Sequence, residues 1–248
     1  MLKLLEVEDL SYKKHVKAIN FSVKKGEILG VAGLMGSGRT EMAKVIFGAY
    51  EKSGGKVFLE GKEVHIKSPK EAIKLGIAYL TEDRKKDGLF LNLSIEDNIM
   101  IANLNLVSDK SVVNKGKSET ITKKYIEKMK IKTPSKEQFT KNLSGGNQQK
   151  VILARWLCQN KKIVIFDEPT RGIDVGAKRE VYNLMNELVE TGAGIIMISS
   201  ELPEILGMSD RVMIMHEGKI GNIIDIKDAT EERILYFATG GINKYEKE

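Results

Sequence analysis

The chain has 248 residues, 42% of them hydrophobic and 30% charged, with 40 basic side chains against 34 acidic ones for a net charge of +6. This is ordinary globular composition, long enough for one large α/β domain or two small ones around a real core. No apolar run approaches the ~18 residues of a membrane span, and the opening MLKLLEVEDL carries acids where a signal peptide does not, so the expectation is a soluble, intracellular chain. The basic excess is spread without a block of like charges and fits nucleic acid, an anionic membrane surface or neither. The single cysteine, Cys158 within the apolar ILARWLC, reads as a buried structural thiol suited to a reducing compartment.

Helical and strand signals alternate along the chain, which points to βαβ units around a largely parallel sheet. The run Glu27-Ile28-Leu29-Gly30-Val31 reads as a strand, followed by a glycine-rich turn and a helix containing Met42, Ala43, Val45 and Ile46. Ser68-Pro69-Lys70-Glu71 supplies an N-cap, a proline at the first helical position and a glutamate three residues after the cap, and Gly76 stops that helix. GIAYL, residues 76–80, is the next strand, and Ser94-Ile95-Glu96-Asp97 starts another helix. Residues 103–140 are rich in Lys, Asn, Ser and Thr, with a helix around Ile121, Tyr125 and Met129 and a break at Pro134. Residues 90–145 therefore read as a mainly helical lobe inserted into the sheet domain. Asp174 caps a helix whose Val181, Leu184, Met185 and Leu188 form a core stripe. Asp228 to Thr239 reads as a terminal helix, followed by Gly240-Gly241 and a charged tail.

Three motifs carry chemistry. Gly33-Leu34-Met35-Gly36-Ser37-Gly38-Arg39-Thr40 lies between a strand and a helix. There glycines turn backbone N–H groups toward a polyphosphate, the helix N-terminus adds its positive end, and Thr40 offers a hydroxyl to Mg²⁺. Alone, such a turn also serves as a tight connection. The usual lysine is replaced by Arg39, a bulkier planar fork, so binding should survive the exchange better than catalysis. Ile163-Val164-Ile165-Phe166-Asp167-Glu168 puts two carboxylates at the C-terminal end of a buried strand, where active sites of open parallel sheets gather. Asp167 is placed to hold Mg²⁺ and Glu168 to orient and deprotonate a water, although two acids also describe a strand leaving the core. Between them comes Leu143-Ser144-Gly145-Gly146-Asn147-Gln148-Gln149 before an apolar helical run through Trp156. His65 and His216 read as surface or packing residues, and nothing has metal-ligand spacing.

Phosphate loop, signature and acidic strand in this order resemble the ATP-binding-cassette proteins. GLMGSGRTE, TEDRKKDGL, LSGGNQQK, DEPTRGIDVGAK, ISSELPEILGMSD and ATEERILYFATGG sharpen the likeness. They resemble the second ATP-binding half of the double-cassette ATPases of ribose, galactose and xylose importers, over nearly the whole chain. The resemblance implies one P-loop NTPase cassette over 1–248, mostly parallel with an N-terminal antiparallel β part. Residues 1–89 and 146–248 would form the core, and 90–145 the helical lobe.

It further implies a head-to-tail sandwich in which each ATP is held by the phosphate loop of one cassette and the signature of the other. The nucleotide-binding set carried over is Tyr12, stacking on adenine, then Gly33, Gly36, Ser37, Gly38, Arg39, Thr40 and Glu41. Ser144, Gly145, Gly146 and Asn147 face the partner's nucleotide, and Asp174 belongs to the loop crossing the dimer. The catalytic set is Glu168, Ser200 and Glu82, with Thr40, Asp167 and Glu82 at the metal. Arg39 stands for lysine, Glu82 for the usual glutamine and Ser200 for the switch histidine, so this half's own site is expected to be degenerate while its signature completes a partner's. The partners implied are a first nucleotide-binding half or a second copy, transmembrane permease subunits contacted through Glu82 to Asn98, and indirectly an external sugar-binding protein. The location implied is the cytoplasmic membrane face. The alternatives are a soluble cassette ATPase working on nucleic acid or ribosomes, whose usual coiled coils and zinc modules the sequence lacks, and a regulatory half without turnover. No nucleic acid is expected.

Overall fold

The structure, a computed structural model, describes residues 2–109, 112–158 and 161–241. The first half of the described chain runs β1 (Lys3–Tyr12), β2 (Val16–Lys24), β3 (Ile28–Gly33), α1 (Arg39–Ile46), β4 (Gly54–Leu59), β5 (Lys62–Val64), α2 (Pro69–Lys74), β6 (Ile77–Leu80) and α3 (Ile95–Met100). Next come α4 (Leu104–Val107), a small hairpin of β7 (Ser108–Asp109) and β8 (Val112–Val113), α5 (Lys115–Lys128) and α6 (Gly145–Leu157). The remainder is β9 (Ile163–Asp167), α7 (Val175–Glu190), β10 (Gly194–Ile198), α8 (Leu202–Met208), β11 (Arg211–His216), β12 (Lys219–Asp225) and α9 (Glu231–Ala238).

Contacts divide the chain into two compact units. The first comprises residues 1–79, 162–168 and 182–248. It holds an antiparallel sheet in the order β2-β1-β4-β5 and a six-stranded sheet in the order β12-β11-β3-β10-β9-β6. In the six-stranded sheet β3 pairs parallel with β10 and β11, and β10 pairs parallel with β9. The central strands are short unbroken apolar runs because both faces are covered: every residue of β9 and β10 is buried. The antiparallel β1 instead mixes buried Leu4, Leu5, Val7 and Leu10 with exposed Glu8 and Asp9, as a sheet with one wet face requires. Phe166, Phe237, Leu29, Met42 and Ile46 are among the largest fully buried side chains of this unit.

The second unit comprises residues 80–161 and 169–181 and is mainly helical. Ser94 and Asp97 form a capping box at the start of α3, as the sequence suggests. The helix expected around Ile121, Tyr125 and Met129 is present as α5, in which Ser118 and Thr122 are buried while Ile121 and Tyr125 are half-buried. Ser118 Oγ donates to Glu96 Oε1 at 2.6 Å, which makes its burial affordable. At the centre of this unit Arg155 is 6% exposed, and its guanidinium donates to the carbonyls of Asn98 and Gly88 and to Asn98 Oδ1 at 2.6 to 2.9 Å. Burial pushes its pKa down to about 10. The buried cation thus ties α6 to α3 and to the π-helical turn Arg84–Gly88 through carbonyl dipoles.

Two helix ends depart from the sequence reading. The terminal helix begins at Glu231 rather than Asp228, because Thr230 caps it, its side chain accepting from Arg233 N, while Ile226–Asp228 is a separate 3₁₀ turn. In α7, Val181, Leu184 and Met185 are buried but Leu188 only half so. The charged tail expected after Gly241 lies outside the described residues. Cys158 is half-exposed as a residue, and burial of its thiol pushes the pKa up to about 12, so the sulfur stays protonated. No helix among the described residues is long and apolar enough to cross a membrane.

The α9 helix packs on β11, β3 and β12 through Ile234 and Phe237, both 0% exposed. Phe237→Ala is expected to cost about 3–5 kcal/mol, read as a fall in the midpoint of urea denaturation at unchanged slope.

Candidate functional site

Three loops leave the carboxyl ends of three adjacent parallel strands of the first unit. They are the glycine loop after β3, Asp167-Glu168 at the end of β9, and Ser199-Ser200 after β10. Their levels are fixed by register, since Ile198 of β10 pairs with Val31 on one side and Asp167 on the other.

The glycine loop is pinned from outside. Gly218 N donates to Ser37 O at 2.9 Å, Lys17 N donates to Gly218 O at 2.8 Å, and Ser37 N closes the turn on Leu34 O at 3.1 Å. Gly38 sits at φ +98° as the N-cap of α1, and a Cβ there would lie 2.1 Å from His15 O, so both conformation and space demand glycine. No side chain caps α1, which leaves its first N–H groups to be satisfied from outside the helix. Glu41 lies in its first turn. A Cβ on Gly36 would meet nothing within 4 Å. Ser37 Oγ is buried yet has no hydrogen-bond partner.

Asp167 is 1% exposed. Thr40 Oγ1 donates to its Oδ1 at 3.3 Å, and Tyr79 OH donates to its Oδ2 at 2.8 Å. Burial is the largest influence on this carboxyl and raises its pKa, against the two hydroxyls and Arg39. Glu168 adopts φ +49°, a left-handed conformation that costs a non-glycine residue about 1–3 kcal/mol. Its amide donates to Ile198 O at 3.0 Å, its Oε2 accepts from Ser200 Oγ at 3.0 Å, and its Oε1 lies 3.9 Å from Arg39 Nη1. Arg39 itself donates to Ser199 O at 2.9 Å. Burial lowers its pKa, with Glu168 and then Asp167 opposing.

The first unit therefore brings together Gly33, Gly36, Ser37, Gly38, Arg39, Thr40, Asp167, Glu168 and Ser200. Tyr12 ends β1 in the same unit, its ring stacked on Tyr50 with centroids 5.0 Å apart and near His15 at 6.3 Å. Glu41 also lies in the first unit, and the other candidates belong to the second. There Glu82 is ion-paired with Arg171. Ser144 caps α6, with Asn147 N and Nδ2 both donating to its Oγ, while Asn147 Oδ1 accepts from Lys132 N. Gly145 opens that helix, and a Cβ on Gly146 would lie 3.2 Å from Ala177 Cβ, so the glycine lets the starts of α6 and α7 approach. Asp174 Oδ1 accepts from Ala177 N at 2.9 Å and so caps α7. Tyr79, Tyr50 and Ser199 were missed by the motif reading. A tyrosine inside a fully buried strand is the one signal that could have drawn attention, because its hydroxyl must find a partner.

The cradle fits a polyphosphate. An orphaned buried hydroxyl, an uncapped helix start and an open backbone at Gly36 face an anion's needs. The hard oxygens of Thr40 and Asp167 suit Mg²⁺, which takes one or two carboxylates and completes its shell from phosphates and water. Among the described residues no group of three or more His, Cys, Asp and Glu side chains forms a cage that would hold a metal alone.

Fold and loops define an α/β P-loop protein. A family profile described as ABC transporter matches residues 16–171, and the chain belongs to that family. It is 53% identical over 241 residues to a ribose import ATP-binding protein of Clostridium tetani, covering 97% of this chain and 48% of that protein. It is also 53% identical over 230 residues to a xylose import ATP-binding protein of Thermoanaerobacter pseudethanolicus, covering 92% and 46%. The chain thus spans about half the length of the curated relatives it matches. Among solved structures, a nucleotide-free ATP-binding cassette from an ABC transporter is 22% identical at a TM-score of 0.80, covering 96% of this chain and 100% of that one. A dimeric cassette in a post-hydrolysis state bound to ADP and Pi is 19% identical at 0.77, covering 90% and 99%. These last likenesses bear on the fold.

Because burial raises the Asp167 pKa from 3.8, the folded chain binds its proton more tightly than the unfolded chain, and stability falls as pH rises through the window above 3.8. Asp167→Asn is expected to raise the urea midpoint near pH 7, with the gain shrinking as the pH is lowered towards 3.8 and gone below it. A variant no more stable than the parent at neutral pH would contradict a costly buried carboxylate.

Proposed function

We propose that this chain is one nucleotide-binding half of a sugar importer's ATPase, binding Mg-ATP at the glycine loop and working at a dimer interface. The observation that carries the reading is the hydrogen bond from half-buried Thr40 to buried Asp167, beside the orphaned Ser37 hydroxyl and the uncapped start of α1. The curated relatives' names support import of a pentose, and their doubled length supports a second cassette as partner. Either a first half or a second copy of this chain would supply it, the signature Ser144, Gly145, Gly146 and Asn147 completing the nucleotide site of that partner. Permease subunits would be contacted through Glu82 to Asn98, with a sugar-binding protein outside and the cassette on the cytoplasmic face. The chain 1–248 is read as one cassette, with 90–145 as its helical lobe. Nucleic acid has no part in this reading.

In that site Thr40 and Asp167 hold Mg²⁺, which when bound neutralises charge on the phosphates. The loop amides and Ser37 orient the polyphosphate, and Tyr12, braced by Tyr50, offers a ring to the base. Glu168 is the group able to take a proton from water, but its carboxylate is engaged by Ser200 and faced by Arg39. That engagement supports a weakly hydrolysing or silent own site, with Glu82 and Ser200 as the altered catalytic positions. It also gives Glu168 a structural role that an inactive site can retain.

The test is Mg-ATP binding and phosphate release by the purified chain beside Glu168→Gln. The expected outcome is nucleotide binding in both, no Glu168-dependent turnover, and a lower melting temperature for the variant. Turnover near or above ~1 s⁻¹ that the substitution abolishes would overturn the degenerate-site reading. Absence of nucleotide binding would overturn the proposed Mg-ATP site.

A further inference from the structure

Motif reading absorbs Asp167 but leaves the side chain that fixes it unexplained. Tyr79 lies on β6 and is 4% exposed, its ring packed against Phe47 at 5.4 Å between centroids. Strand β6 is the neighbour of β9 in the sheet, and Lys162 N and Ile163 N both donate to Gly76 O, so the two strands are pinned together where each begins. The phenol is thereby delivered to Asp167 Oδ2 at 2.8 Å, while Thr40 takes Oδ1. A buried carboxylate with a free χ2 would present either oxygen, or both, to a cation; one held at Oδ2 by a rigid donor presents Oδ1 at the side of Thr40.

We propose that Tyr79 is a positioning residue for the metal of the bound nucleotide, its hydroxyl clamping Oδ2 of Asp167 so that Oδ1 and Thr40 Oγ1 are set as a pair toward Mg²⁺. This rests on the Mg-nucleotide reading above. Groups that orient a metal ligand commonly change metal affinity by 10–100-fold when removed. Tyr79→Phe deletes the donor and keeps the ring against Phe47. Its effect should therefore fall on metal dependence and not on the nucleotide alone.

The experiment uses the 248-residue chain and an ATP analogue carrying a fluorophore on the ribose, titrated first with EDTA present and then with Mg²⁺ at fixed analogue. For Tyr79→Phe the affinity in EDTA is expected to stay within about twofold of the parent, while the Mg²⁺ concentration at half-effect rises about tenfold. In an Asp167→Asn background the same substitution should add nothing to the metal dependence, because the hydroxyl acts through the lost carboxylate. An unchanged Mg²⁺ midpoint overturns the inference. So does an equal loss with and without Mg²⁺, including complete loss through misfolding, and so does an additive effect in the Asp167→Asn background. If the parent binds the analogue but shows no Mg²⁺ dependence, the metal reading fails before Tyr79 is reached, a result recognisable without any variant.

Discussion

The register of three buried parallel strands is the constraint from which the candidate site follows. With β10 between β3 and β9, the pairing of Ile198 with both Val31 and Asp167 sets the heights at which three loops leave the sheet. A slip of one residue would turn every side chain of a strand to the opposite layer and would bury or expose the wrong carboxylate. The strands tolerate no such slip, because all five residues of both β9 and β10 are packed on both faces. Hence the glycine loop, Asp167-Glu168 and Ser199-Ser200 converge through backbone hydrogen bonding, before any side chain chooses a partner.

On that frame charge is placed at a cost. Asp167 and Arg39 are each moved by burial in the direction that disfavours their charged forms, and each partly offsets the other. Two carboxylates face one guanidinium within this cluster, a balance that leaves room for a cation at the Asp167 side. Glu168 adds a left-handed backbone. Such strain persists where surrounding structure fixes it, here by its amide to Ile198 O and its carboxylate to Ser200.

Much of this was legible in the sequence because its signals are local. Glycine, proline and short capping residues punctuate the loops: Ser68, Ser94, Ser144 and Asp174 each accept a backbone N–H at a helix start. The apolar runs of β3, β9 and β10 likewise announce burial on both faces. What the sequence hid depends on partners distant along the chain. Tyr79 reads as one more core residue of GIAYL until β6 is laid beside β9, and its hydroxyl then meets a carboxylate 88 positions away. Arg155 reads as a polar residue near the end of a helix, yet it is buried because Asn98 and Gly88 supply three acceptors. Ser118 of α5 is likewise buried because a residue distant along the chain, Glu96, accepts from its hydroxyl.

The position of Glu168 beside Arg39 and Ser200 gives its carboxylate a use besides proton transfer. If proton abstraction were its only use, a site without turnover would leave the carboxylate without purpose. The structure gives it another: Oε2 anchors the Ser200 hydroxyl, and Oε1 is the nearer of the two carboxylate charges opposing the desolvation of Arg39. Removing the carboxylate would leave a mostly buried guanidinium with the Ser199 carbonyl and a more distant Asp167, and a buried charge deprived of its partner is more costly than the pair was favourable. Retention of the acid is therefore compatible with loss of turnover, and its presence in the sequence is not by itself evidence of catalysis.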